Sequence, residues 1–79
     1  MDVHSRTGLN IQRLRRERGI SQEALALRAH VTRGYLSALE GGRRNPTIQL
    51  LEKLAKALDA DIEELFAHPS RRAPTRADQ

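Results

Sequence analysis

The side chains best suited to contact another molecule lie on one face of a short predicted helix, residues 33–40. Leu36 and Leu39, three positions apart, would face the core. The residues of the opposite face are Arg33, Gly34, Ser37 and Ala38. This face has no charge beyond Arg33 and no bulky apolar group, whereas a face that meets only solvent usually carries Glu and Lys. Its composition is typical of a surface that presses against the edges of bases.

Positive charge is concentrated in the first half of the chain. Residues 5–44 contain nine Arg and three acidic residues, whereas residues 45–79 contain five bases and six acids. A one-sided basic field on a small domain favours a polyanionic partner, most simply nucleic acid. A surface of solvated Arg is the alternative, and charge alone supports both equally.

Two short amphipathic patterns must position the face of residues 33–40. Ser21 is a suitable N-cap for a helix over residues 22–29, and Thr32 is a suitable N-cap for the helix that follows. Residues 30–31 form the turn between them. Two capped helices on either side of a tight turn predict a helix-turn-helix, in which the second helix is presented to the major groove of DNA.

A first helix precedes this unit and ends at a clear signal. It would begin at Thr7 or Gly8. Gly19 can adopt the left-handed conformation that closes a helix. Residues 1–6 show no periodicity, so we expect a flexible arm before a DNA-binding domain at residues 7–67.

Two more helices follow a break at residues 41–46, whose sequence is GGRRNP. Thr47 is a suitable cap for the first of them, which would end near residue 58. Its expected apolar stripe consists of Ile48, Leu51, Leu54, Ala55 and Leu58. Asp61 and Glu64 have the spacing of a capping box at the start of a last short helix. The predicted fold is therefore an all-α bundle of five helices.

The composition agrees with one small helical domain. The chain of 79 residues has no Cys, one Phe, one Tyr and no Trp, so its core must consist of aliphatic side chains. The absence of Cys excludes disulfides and thiolate metal sites. No apolar run approaches the ~20 residues that span a bilayer, and no signal-peptide core is visible, so we expect a cytoplasmic protein. Residues 68–79 are basic and lack large apolar side chains, which predicts a disordered tail.

The chain resembles the phage lambda repressor-like, Cro/Xre-type helix-turn-helix proteins. The resemblance covers about residues 9–66 and is carried by the segments LRRERGISQEALA, VTRGYLSALEGGRRNP and LLEKLAKAL. It implies a transcriptional regulator that binds double-stranded DNA sequence-specifically, as a homodimer on a pseudo-palindromic operator. The small stand-alone format is similar to restriction–modification controller proteins, compact phage-type repressors and antitoxins. The family often has Gly in the turn where this chain has His30, a residue that tolerates the left-handed conformation.

The resemblance also implies roles for individual residues. The implied base-reading residues are Arg33, Gly34, Ser37 and Ala38, with Thr32 as a further candidate. The implied phosphate-contacting residues are Ser21, Gln22, Tyr35, Arg43, Arg44 and Asn45. Arg33 is the one side chain on the reading face that can make a bidentate contact to guanine. Tyr35 has two interpretations of equal weight, as partly buried packing or as a hydroxyl donor to phosphate.

The last helix and its surroundings form the candidate dimer surface. Leu50, Ile62 and Phe66 provide more apolar surface than one small core obviously needs, although all three could simply complete that core. The alternative function is an antitoxin-type or adaptor protein whose bundle mainly binds a protein partner. We predict no catalytic residue, cofactor or metal ion, because no nucleophile–base pair is visible and the three His lie in separate segments.

Overall fold

The computed structural model describes residues 2–68, which form five α-helices and no strand within that range. The helices are α1 (Val3–Glu17), α2 (Gln22–Ala29), α3 (Arg33–Glu40), α4 (Ile48–Ala57) and α5 (Ile62–Phe66). The prediction of an all-α fold with five helices is confirmed. The bounds of α2 and α3 agree with the prediction to the residue. Nearly all of the predicted tail at residues 68–79 lies outside the described residues.

Helices α2, α3 and α4 begin at the predicted N-caps. Ser21 Oγ accepts a hydrogen bond from Ala24 N at 3.0 Å, Thr32 Oγ1 from Tyr35 N at 3.0 Å, and Thr47 Oγ1 from Leu50 N at 3.1 Å. Each bond satisfies one backbone N–H that has no partner within its helix. Helix α5 begins with the predicted capping box of Asp61 and Glu64, in which Asp61 N donates to Glu64 Oε2 at 3.0 Å.

The predicted start of α1 at Thr7 or Gly8 is wrong. The helix begins at Val3, and Asp2 caps it by accepting from Ser5 N at 2.8 Å. Residues 3–6, which the sequence predicts as part of a flexible arm, therefore form the first turn of α1. The cap and the contacts with the loop after α3 hold this turn in place. Neither of them requires apolar residues at helical spacing, so residues 3–6 show no apolar stripe.

A left-handed residue ends each of the first four helices. These residues are Gly19 (φ 66°), His30 (φ 61°), Gly42 (φ 78°) and Asp59 (φ 54°). In each case the following N–H donates back to the last turn of the helix, for example Val31 N to Ala26 O at 3.0 Å. The predicted left-handed conformations of Gly19 and His30 are confirmed.

The core consists of aliphatic side chains from all five helices. Its twelve buried apolar residues are Ile11, Leu14, Leu25, Ala26, Ala29, Leu36, Leu39, Leu51, Leu54, Ala55, Leu58 and Leu65. Ile48 was expected in this set but is 59% exposed. It lies in the first turn of α4 and about 60° around the helix from Leu51, at the margin of the stripe.

Two contacts of α1 fix the helices at either end of the bundle. The fully buried Asn10 donates through Nδ2 to Leu65 O at 3.0 Å and to Ala67 O at 2.8 Å, which holds the short α5 against α1. Gly8 crosses the end of α3 so closely that a Cβ would lie 2.7 Å from Glu40 O. Neither contact was predicted from the sequence.

Candidate nucleic-acid interface

The outer face of α3 gathers the residues predicted to read bases. Leu36 and Leu39 anchor the inner face in the core, with exposures of 0% and 1%. On the outer side Thr32, Arg33, Gly34 and Ser37 are exposed and Ala38 is half-buried. Thr32 Oγ1 accepts the capping bond, so its hydroxyl proton is still available to an outside acceptor.

Gly34 has no structural reason to be glycine. Apart from its chain neighbours and the adjoining backbone of α3, no described atom lies within 4 Å of the position that its Cβ would occupy, and its φ is not in the left-handed region. Glycine inside a helix is less favourable than Ala by about 0.5–1 kcal/mol. The absence of a side chain leaves the backbone of α3 open to close approach by another molecule.

A buried ion pair fixes the end of α3 to α1. Arg15 Nε donates to Glu40 Oε2 at 2.7 Å, and Arg15 Nη2 donates to Glu40 Oε1 at 3.1 Å. Arg15 Nη1 also donates to Ile20 O at 3.0 Å, at the start of the helix-turn-helix. Neither residue was predicted as a site residue from the sequence, because a separation of 25 positions gives no periodic signal.

Gln22 is connected to the same carboxylate. Its Nε2 donates to Glu40 Oε1 at 3.0 Å, so the side chain expected to contact phosphate is already oriented within the protein. An amide nitrogen has two N–H donors, and the second one has no acceptor among residues 2–68, so it can donate to an outside acceptor. Ser21, which precedes Gln22, is exposed at the N-terminus of α2.

The loop after α3 carries exposed hydrogen-bond donors at the C-terminal end of the outer face of α3. Arg43, Arg44 and Asn45 are all exposed. The guanidinium carbon of Arg44 lies 5.3 Å from the centroid of the Tyr35 ring, within the range of a cation–π contact. Tyr35 also packs against the core, which supports its interpretation as partly buried packing.

The positive charges of this face are not neutralised by ion pairs within residues 2–68. In the described part of the chain, the ion pairs involve Arg13, Arg15 and Arg18. Arg33, Arg43 and Arg44 therefore form no ion pair with a described acidic residue. Their positive charge is available to an anionic partner.

The three residues of the candidate dimer surface are partly buried. Leu50, Ile62 and Phe66 pack against the core and each keeps part of its side chain at the surface. Both interpretations of these residues, as core and as interface, therefore stay open.

Other kinds of site have little support in residues 2–68. No group of three or more His, Asp or Glu side chains in this range could hold a metal ion. None of the helices described combines the length and the apolar character that crossing a membrane requires.

Comparison with known proteins identifies the same unit. A family model described as helix-turn-helix matches residues 11–65. The HTH-type transcriptional regulator y4dJ of Sinorhizobium fredii is 48% identical over 65 residues, which are 82% of this chain and 84% of that protein. The control protein C.MunI of a Mycoplasma species is 36% identical over 67 residues, 84% of this chain and 90% of that protein.

Solved structures agree with these relatives. The restriction-modification controller protein C.AhdI from Aeromonas hydrophila is 39% identical, with a TM-score of 0.76 over 78% of this chain and 94% of that chain. The family resemblance inferred from the sequence is confirmed.

Proposed function

The chain belongs to the helix-turn-helix family of DNA-binding transcriptional regulators, and we propose that it occupies a pseudo-palindromic operator as a homodimer. The observation that carries this proposal is the outer face of α3. It combines Arg33, which forms no ion pair within residues 2–68, with an uncovered glycine, and it has basic side chains beyond its end. Occupying an operator needs no chemical step, so the proposed function depends only on how this face binds DNA.

Base reading is assigned to the first turns of α3. Arg33 can donate two N–H groups to O6 and N7 of one guanine, which is typically worth about 1–3 kcal/mol of discrimination. Gly34 allows the helix to approach the bases without a side chain between them. Ser37 and Thr32 contribute hydroxyl groups that can donate or accept, and Ala38 offers a small apolar contact for a thymine methyl group.

Phosphate contacts at both ends of α3 would fix its orientation in the groove. At one end, the N-terminus of α2 presents Ser21 and the second N–H of Gln22, and the partial positive charge of a helix N-terminus favours a phosphate. At the other end, Arg43, Arg44 and Asn45 supply donors from the loop. Such contacts position the protein without reading the sequence.

Dimerisation is proposed through Leu50, Ile62 and Phe66. Two copies related by a two-fold axis would place two α3 helices in successive major grooves, ~34 Å apart. The named relatives C.MunI and C.AhdI support a controller-type regulator, and genes for a restriction enzyme and a methyltransferase beside its own gene would agree with that role.

Selection of bound DNA from a random pool, at stated salt, tests the proposal. We expect a symmetric site whose half-sites are one helical turn apart, and a dimer in sedimentation experiments. Arg33→Ala should relax the preference at particular base pairs. Arg43→Ala should weaken binding to all DNA sequences alike and reduce the slope of log K against log salt by about 1.

Three outcomes would contradict the proposal. An unchanged sequence preference in Arg33→Ala would contradict the base-reading role of Arg33. A monomer at high concentration, with and without DNA, would contradict the proposed dimer. Negligible affinity for any DNA would favour the adaptor or antitoxin-type alternative.

A further inference from the structure

The first turn of α1 lies directly against the loop that follows α3. His4 Nε2 and Asn45 Oδ1 are 3.0 Å apart, although the two residues are 41 positions apart in the chain. A Cβ on Gly42 would lie 2.9 Å from Ser5 Oγ and 3.0 Å from Ser5 Cα. The first turn of α1 is itself held by its N-cap, because Ser5 N donates to Asp2 Oδ1. The loop therefore has a defined contact surface on its inner side.

The contact between His4 and Asn45 sets the orientation of the Asn45 amide. Oδ1 is only an acceptor, so the His4 Nε2–H must be the donor. With Oδ1 facing His4, the two N–H donors of Nδ2 face the other way. Asn45 is exposed, and Nδ2 has no partner among residues 2–68.

A phosphate oxygen accepts hydrogen bonds and cannot donate them, so it distinguishes the two ends of an amide. The terminal torsion of Asn is broad and roughly two-fold. Without a donor on its inner side, the Asn45 amide would present its oxygen as readily as its nitrogen to the DNA backbone, and the oxygen would repel a phosphate.

We propose that His4 is a positioning residue that orients the Asn45 amide for a phosphate of the DNA backbone. This inference rests on the proposed function, because it needs Asn45 at the DNA. It assigns a role in DNA binding to a segment that sequence periodicity indicates is only a flexible arm.

A double-mutant cycle on the selected operator tests the inference. The variants are His4→Leu, Asn45→Ala and the double substitution, with DNA affinity measured at one fixed salt concentration. We expect His4→Leu to weaken binding about 2- to 10-fold, the range that one net hydrogen bond supports. We expect no further loss when His4→Leu is added to Asn45→Ala, because the oriented group is then absent.

A conservative variant separates positioning from a merely structural role. His4→Gln has an amide N–H that can reach Asn45 Oδ1, so it should restore most of the affinity lost in His4→Leu. A second measurement uses operators with a neutral methylphosphonate at each backbone position in turn. When the methylphosphonate replaces the phosphate contacted by Asn45, the unmodified protein and His4→Leu should bind the operator with equal affinity. Melting temperatures of all variants identify any that unfold.

The outcomes separate this inference from the proposed function. If the unmodified protein shows no sequence-selective binding, both are overturned. If it binds its site but the losses in His4→Leu and Asn45→Ala are additive, or His4→Leu has no effect, only the positioning role is overturned. Failure of His4→Gln to restore affinity, with an unchanged melting temperature, would also overturn it.

Discussion

Removal of the Glu40 carboxylate should strongly destabilise the protein. The Glu40 side chain is 2% exposed and that of Arg15 is 10% exposed, so neither charge is well solvated. The carboxylate accepts three hydrogen bonds, two from Arg15 and one from Gln22. Glu40→Ala would leave the guanidinium of Arg15 buried without its counterion. Breaking a buried pair in this way costs about 3–5 kcal/mol.

This cost is a large share of the total stability. A chain of 79 residues is expected to have an unfolding free energy of about 4–12 kcal/mol at about 0.05–0.15 kcal/mol per residue. For a domain of this size, each kcal/mol shifts Tm by roughly 4–8 °C, so Tm should fall by about 12–40 °C. Thermal and urea unfolding followed by far-UV circular dichroism measures the change, and a constant m-value verifies that unfolding stays two-state.

The matched control removes both charges. Arg15→Met combined with Glu40→Leu replaces the pair by apolar side chains, a change that is often neutral or stabilising by about 1–4 kcal/mol. We therefore expect the double variant to be more stable than Glu40→Ala. A cost below about 1 kcal/mol for Glu40→Ala, typical of exposed pairs, would refute the reasoning. So would a double variant less stable than Glu40→Ala.

Three smaller changes test other parts of the structure. Gly34→Ala should raise the unfolding free energy by about 0.5–1 kcal/mol and weaken DNA binding, and stronger binding would argue against close approach of the α3 backbone. Gly8→Ala, its matched control in a crowded position, should lower the unfolding free energy by about 1–3 kcal/mol, because the new Cβ meets two carbonyl oxygens at the end of α3. The hydrogen bond from Ser5 N lowers the pKa of Asp2 from its ordinary value of 3.8, so the first turn of α1 should be stabilised above that pH and lose this contribution as pH falls through the lowered pKa. Asp2→Asn keeps a capping oxygen but cannot titrate, so the pH dependence of the Ser5 amide chemical shift in this range should disappear.

Local signals explain why α2 and α3 could be predicted to the residue. Ser21 and Thr32 act within three residues of their own positions, and His30 ends α2 through its own φ. The start of α1 has a local cap of the same kind, Asp2, but no apolar periodicity follows it to mark residues 3–6 as helix. Its first turn packs against Gly42 and Asn45, which are close in space but distant in sequence.

The same limit applies to the candidate site. Helical spacing identifies the exposed face of α3, because periodicity determines which way a side chain points. It does not identify the partner of a buried polar group. The bonds from Arg15 to Glu40 and from Asn10 to Leu65 span 25 and 55 positions, and they form only because helix packing brings these residues together.

The small number of proposed base-reading side chains on α3 makes its positioning more important. One bidentate contact from Arg33 would supply about 1–3 kcal/mol of discrimination, whereas specific sites are typically bound about 4–10 kcal/mol more tightly than non-specific DNA. Two symmetric copies would double the contribution of Arg33 but would also double the loss from any displacement of α3. The outer face of α3 has no second long polar side chain that could compensate for such a displacement. Residues that hold α3 without touching bases, above all Arg15 and Glu40, should therefore affect specificity as well as stability.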